Sequence, residues 1–170
     1  MKNFLELAHE RYSVRKYKST PVEDEKIAAI IEAARIAPTA RNYQEQKIYV
    51  LKSAEARAKL AAVTPCTFSA PLIFVIGYDE NIVAKGMVAD GYDFGQTDCA
   101  IIATHMALAA WDEGLGSCFV GRFWEKDVKA ALGLPDNIRV CLLLPVGYAD
   151  AAPSPRHTEY RPAEETIIEL

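Results

Sequence analysis

No stretch of this sequence is long and apolar enough to span a bilayer. The longest apolar run, Cys99 to Trp111, covers 13 residues and contains Thr104 and His105. A spanning helix needs roughly 20 apolar residues, so this one reads as a buried helix of a water-soluble protein with no membrane partner. Charge of one sign is also scarce. Nineteen Lys and Arg stand against 23 Asp and Glu, a net charge of −4, which argues against a nucleic-acid surface. The four cysteines, Cys66, Cys99, Cys118 and Cys141, have no CxxC or zinc-like spacing, so no metal site is expected. Met1–Glu10 already carries Glu6, His9 and Glu10, leaving no uninterrupted apolar core for an export signal. Free thiols in a reducing cytosol are the expectation that follows. GxGxxG, Walker A, internal repeats and low-complexity tracts are all missing.

What is there suits one domain of mixed helix and strand. The 170 residues are 51% apolar and 25% charged, enough for one substantial core and too few for two. Asn3–Glu10 reads as a short helix with Phe4, Leu7 and Ala8 on one side, followed by a basic loop to Tyr17. Thr20, Pro21 and Glu23 then spell a capping box. Ile27, Ile30, Ile31 and Ala34 give the stripe of a half-buried helix, which Pro38 ends. Lys47–Leu51 predicts a strand, Ala54–Ala62 a helix, and Leu72–Tyr78 a strand buried on both faces. Asp98–Glu113 is a helix apolar nearly all round, stopped by Gly114 and Gly116. Trp124–Leu132 is a helix with Gly133 as its C′ residue, and Val140–Val146 is the last interior strand. Ala149–Ala163 reads as a proline-rich connector with no element of its own. It leads to the apolar, β-branched Thr166-Ile167-Ile168, either an arm reaching another surface or an edge strand of the same sheet.

Three constellations bear on chemistry. In Arg11-Tyr12-Ser13-Val14-Arg15, alternate residues point the same way if the segment is extended. Two guanidinium groups and a hydroxyl suit a phosphate; a solvated basic loop has the same composition. Ala37-Pro38-Thr39-Ala40-Arg41-Asn42-Tyr43-Gln44 offers hydroxyl and amide groups suited to the edge of a heterocycle, or is an ordinary helix-to-strand loop. Gly114-Leu115-Gly116-Ser117-Cys118-Phe119-Val120-Gly121 lets backbone approach a ligand closely, although glycine-rich turns are common. His105 is expected as a satisfied core or interface residue. Cys118 is expected to be a buried thiol with no evident base, and Asp98 a helix-start residue bonding to backbone.

Taken in order, RxSxR near the N-terminus, APTxxN at a helix end, GLGSCxxG after an apolar helix and an arginine in a proline-rich tail resemble the nitroreductase family of flavin mononucleotide (FMN)-dependent oxidoreductases. The resemblance covers essentially the whole chain. It implies an α+β fold, a central, mostly antiparallel sheet flanked by helices, in an interlocked homodimer with C-terminal arm exchange. Residues 1–170 would form a single domain, with 149–170 as the arm.

The resemblance also implies a site. Arg11 and Ser13 would bind the FMN phosphate, with Tyr12 contributing backbone, and Arg15 would lie near the pyrimidine edge and ribityl chain. Thr39, Ala40, Asn42 and Gln44 match the loop that reaches the flavin from the partner subunit. Val120, Gly121 and Arg122 match the segment whose backbone N–H groups face flavin N5, and Arg161 the tail residue that closes over the phosphate. Thr64 stands where a glutamine or asparagine often touches the flavin. Arg41, Arg122 and Glu45 depart from the family pattern, which usually has glycine at the first two positions and proline at the third.

The chemistry so implied is hydride transfer from NAD(P)H through flavin N5 to a small aromatic, nitro or quinone acceptor, in a ping-pong cycle. No catalytic side chain is expected beyond Arg15 as an electrostatic stabiliser. A non-catalytic FMN-binding protein and a specialised relative, such as a dehalogenase or ene reductase, are the alternatives.

Overall fold

The strand with the most continuous apolar sequence sits at the centre of the molecule. A computed structural model describes residues 3–85 and 93–170. Its elements run α1 (Phe4–Glu10), α2 (Asp24–Ile36), β1 (Gln46–Leu51), α3 (Ala54–Ala61), β2 (Leu72–Asp79), α4 (Gly95–Asp112), β3 (Gly116–Ser117), α5 (Glu125–Leu132), β4 (Ile138–Gly147) and α6 (Ala163–Thr166). The sheet order is β1-β2-β4-β3, with every neighbouring pair antiparallel.

Both faces of β2 are covered, because its seven residues from Leu72 to Tyr78 are all buried. One face packs Leu72, Phe74, Ile76 and Tyr78 against Ile27 and Ile30 of α2 and Ile102 and Met106 of α4. The other packs Ile73 and Val75 against Leu60 of α3 and Val128 of α5. The alternation of β2 thus divides its side chains between two apolar layers. Between Ile76 and Gly77 the register with β4 slips by one residue, a bulge that needs glycine. A Cβ on Gly77 would stand 2.2 Å from the Arg139 carbonyl oxygen.

Several expectations are corrected. The capping box at Thr20, Pro21 and Glu23 is not formed. The helix starts later, with Glu23 as an N-cap whose side chain makes no cap bond, because its carboxylate accepts from the Tyr148 hydroxyl at 2.8 Å. A box does form at α1, between Asn3 and Glu6, yet α1 buries no side chain and Phe4 is 67% exposed. Helix α4 begins one turn before Asp98, at Gly95. His105 is exposed on α4, with Nδ1 against the Ile101 carbonyl oxygen, and so is not a core residue. The connector contains a 3-10 turn at Pro155–Thr158, and Thr166 belongs to α6. No strand forms at Thr166-Ile167-Ile168, and Ile167 and Ile168 are 68% and 70% exposed.

Candidate functional site

Arg11, Ser13 and Arg15 are set by a short parallel contact with β3. After α1 the chain is extended, Ser13 bridges to Ser117, and the Val14 N–H donates to the Ser117 carbonyl at 2.9 Å. Val14 is buried and Gly116 has no room for a side chain, since a Cβ there would meet Val14 Cγ2 at 2.3 Å. Alternation then turns residues 11, 13 and 15 to the opposite side. Tyr17 pins the segment from below, its hydroxyl lying 2.7 Å from the Val14 and 3.1 Å from the Pro145 carbonyl oxygens. Burial pushes that phenol far above its ordinary range, so it stays a donor.

These residues line a cleft of 470 Å³ together with Ser154, Arg156 and His157 from the tail. Tyr12 ties the tail down. Its hydroxyl donates to Ala151 at 2.8 Å, and its ring lies edge-on to Trp111 and tilted against His157, with centroids 5.2 and 5.8 Å away. Three guanidinium groups and two hydroxyls around one cleft have the charge and the donors that suit a phosphate dianion. Arg161 lies elsewhere, paired with Glu165 at 3.4 Å. The tail arginine on this cleft is Arg156; it, Ser154 and His157 belong to none of the sequence motifs. Their only sequence signal was their place in the same proline-rich tail.

The Cys118 thiol lies beneath the cleft, buried, and burial raises its pKa even though Arg15 and Arg11 pull the other way. Such a thiol is a poor nucleophile. Two residues further on, Val120 bonds to Leu143 through both its N–H and its carbonyl, each at 2.9 Å. Its N–H is therefore spent within the sheet and cannot face a ligand, contrary to expectation. No described group accepts from the Gly121 or Arg122 N–H, and a Cβ on Gly121 would have nothing within 4 Å. The chain's own packing does not require glycine there. Thr64, expected at the flavin, instead turns inward and donates to the Arg122 carbonyl at 2.7 Å, fixing the segment's direction. A neighbouring cavity is lined by Val63, Pro65, Gly121, Arg122, Phe123 and Trp124.

The loop Thr39–Gln44 is in another place. Its Ala40 N–H donates to Asp98 Oδ2 at 2.9 Å, so Asp98, in the first turn of α4, holds this loop rather than starting its helix. The Gln44 N–H donates to Thr39 Oγ1 at 3.0 Å. Arg41, Asn42 and Gln44 have φ of 56°, 56° and 53°, in the left-handed region that glycine enters most easily. Arg41 takes that backbone where a glycine is usual in the family, and its side chain, like those of Asn42 and Gln44, is exposed. Along α4, Asp98 is about 18 Å from Ala110 at 1.5 Å per residue, and Ala110 accepts from Leu115, just before β3. Loop and cleft therefore lie toward opposite ends of α4 within one chain.

An α+β domain with a wholly antiparallel sheet, a cationic cleft and an adjacent segment of free backbone N–H groups defines the class. The nitroreductase family profile matches residues 8–66 and 64–148, and the chain belongs to that family. A nitroreductase family protein from Clostridium difficile 630 has the same fold, with 34% identity, 98% of each chain covered and a TM-score of 0.92. The NADPH-flavin oxidoreductase of Vibrio harveyi is 29% identical over 90% of this chain and 68% of its own. The NADPH-dependent oxidoreductase of Staphylococcus epidermidis is 29% identical over 77% of this chain and 59% of its own length.

Proposed function

We propose that this chain is an FMN-dependent NAD(P)H oxidoreductase that works as a homodimer, each site built from two copies. The carrying observation is that the Ser13–Ser117 bridge joins the segment lining the cationic cleft to the strand from which the chain runs on to Gly121 and Arg122. One end suits a phosphate and the other offers unpartnered backbone donors, as an elongated phosphorylated heterocycle requires. The loop Thr39–Gln44 lies too far along α4 to close the same site, so a second copy supplies it. The NADPH-flavin oxidoreductase relative favours the same cofactor and donor. Residues 1–170 act as one domain with 149–170 as its arm.

Bound FMN supplies hydride uptake at N5 from a nicotinamide and its delivery to a small, flat aromatic, nitro or quinone acceptor in two half-reactions at one face. Arg11, Arg156 and Ser13 hold the phosphate and neutralise it. Arg15 stabilises negative charge at the pyrimidine edge. The Gly121 and Arg122 N–H groups orient the ring, and Thr64 keeps them from turning away. No side chain has to act as general acid or nucleophile, which agrees with the protonated thiol of Cys118.

The test is direct. Purified full-length chain titrated with FMN should quench flavin fluorescence with a defined stoichiometry, turn yellow, and oxidise NADH or NADPH when a nitroaromatic or quinone is added. Initial-rate plots against both substrates should give parallel lines. A chain that stays colourless with excess FMN would refute the reading, and one that binds FMN without turnover would be a binding protein only.

A further inference from the structure

Glu45 has no part in the site as described. It directly follows the Thr39–Gln44 loop at the entry to β1, where the family usually has proline. Its side chain is completely enclosed, at 0% exposure, and neither carboxyl oxygen meets an N–H or O–H donor among the described residues. Its main-chain oxygen is fixed by the Asp79 N–H at 2.9 Å, so the backbone cannot easily swing the acid out to water. The carboxyl it faces belongs to Asp98, also buried, whose Oδ2 accepts the Ala40 N–H.

Two acceptors can be joined only through a proton, and two enclosed carboxyls cannot both ionise without a large penalty. Of the groups around the pair, Asp93 pushes the same way. Asp93, held by the Tyr78 hydroxyl of β2 at 3.3 Å, adds negative charge, while Cys99 of α4 and Cys141 of β4 add thiols. Burial first, then the bond to Asp98, then the charges of Asp98 and Asp93, push Glu45 up to about 7.

We propose that Glu45 is a positioning residue for the cofactor loop: its enclosed carboxyl shares one proton with Asp98 and so steadies the carboxylate that grips Ala40. Removing the proton leaves two adjacent buried negative charges, relieved only by separation or by entry of water. Either movement takes the acceptor from the Ala40 N–H. The loop has little else to hold it, being a single 3-10 turn with three non-glycine residues in the left-handed region. Cofactor affinity should therefore fall as Glu45 ionises. This rests on the reading that the loop contacts FMN, and the test separates the two.

Two measurements are made on the full-length protein and on Glu45→Gln, whose amide donates to Asp98 but does not titrate. The first is FMN affinity by fluorescence quenching. From about pH 6 to about pH 9 the wild-type protein should lose about tenfold or more in affinity, with a midpoint near 7, beyond the smaller drift of the variant. The second is the infrared carbonyl stretch of a protonated carboxyl, read without FMN. It should be present in the wild type at about pH 6, vanish through the same midpoint, and be missing in the variant. A wild-type band that is missing at the lower pH, or that persists in Glu45→Gln, overturns the shared proton. A band that behaves as expected, with FMN affinity equal and parallel in both proteins, upholds the proton and overturns the link from Glu45 to the cofactor. If neither protein binds FMN, the function reading falls, and the band still decides whether the proton is shared.

Discussion

The buried hydroxyl of Thr64 donates to the main-chain oxygen of Arg122, 58 positions further along the chain, at 2.7 Å. The Thr64 Oγ1 in turn accepts the Cys66 N–H at 3.2 Å, so one side chain ties the Pro65–Thr67 turn to the candidate flavin segment. Replacing Thr64 with valine keeps the shape and removes both bonds. Unfolding free energy should drop by about 1–2 kcal/mol, and FMN should bind more weakly because the Arg122 peptide can rotate. Serine at this position should restore most of both. Urea midpoints and flavin titrations on the two variants decide the matter, and unchanged FMN affinity in Thr64→Val would mean that the peptide is held by something else.

The tail arginines give a sharper comparison. Arg156 lines the cleft with Arg11 and Arg15, whereas Arg161 pairs with Glu165. Replacing Arg11 or Arg156 with alanine should each remove a charge-assisted phosphate contact worth about 1.5–3 kcal/mol. That corresponds to roughly ten- to a hundredfold in FMN affinity. Arg161→Ala should change it by less than about threefold, since exposed ion pairs contribute little. Equal losses at positions 156 and 161 would mean that the tail sits differently over the cofactor.

The sequence carried the large elements because each was written locally. Leu72–Tyr78 could only be a strand covered on both faces, the Ala37-Pro38 step had to end α2, and Gly133 closes α5 at φ 65° as a C′ glycine does. The site was legible only as motifs. Nothing local distinguishes Arg156 from Arg161 five positions away; the tilted contact of His157 with Tyr12 does so in three dimensions. Nothing local says that the Val120 N–H is taken by Leu143, or that Asp98 reaches past its own helix to Ala40. Glu45 was visible as a departure from a usual proline. Its burial against a second acid depends on α4, whose sequence lies more than fifty residues away.

Cys118 offers a clean negative test. The thiol is buried and its pKa is raised by burial, so thiolate is scarce at neutral pH. Cys118→Ser should leave turnover within about threefold of wild type, because no step of the proposed chemistry needs a sulfur nucleophile. Burying a hydroxyl there should lower stability modestly. A loss of several powers of ten in turnover, with FMN bound and the fold intact by circular dichroism, would make the thiol part of the mechanism.

Glu45 also predicts how fold stability depends on pH. Its pKa in the folded protein is about 7 against an ordinary 4.5, so the native state holds this proton more tightly than the unfolded chain does. The resulting stabilisation is complete below about pH 4.5 and is lost as pH rises through about 7. Depressed carboxylates such as Glu23, Glu32 and Asp79 have the opposite dependence, mostly at lower pH. Urea unfolding of wild type and Glu45→Gln between about pH 5 and pH 9 isolates the contribution as a difference between the curves. The wild type should lose stability relative to the variant across that range; parallel curves would mean that Glu45 titrates normally.

On the proposed reading as a homodimer, the tail should decide the assembly. In the single chain Ile167 and Ile168 are largely exposed and α6 buries nothing, an arrangement that leaves apolar side chains facing water. Covering both isoleucines on a second copy would contribute about 1.5–3 kcal/mol each, a large share of the marginal stability of one domain. The same tail carries Ser154, Arg156 and His157 to the phosphate cleft, so losing it should weaken the dimer and the cofactor site together. Stopping the chain after Asp150 should shift the mass in solution toward monomer at micromolar concentration and lower flavin content. Replacing Ile167 and Ile168 with serine in the full-length chain separates the two effects, because the cleft residues remain. That double variant should dissociate more readily than wild type, while FMN added in excess restores part of the dimer through linkage. A truncated protein that stays dimeric and fully yellow would mean that the tail neither crosses to a partner nor closes the site.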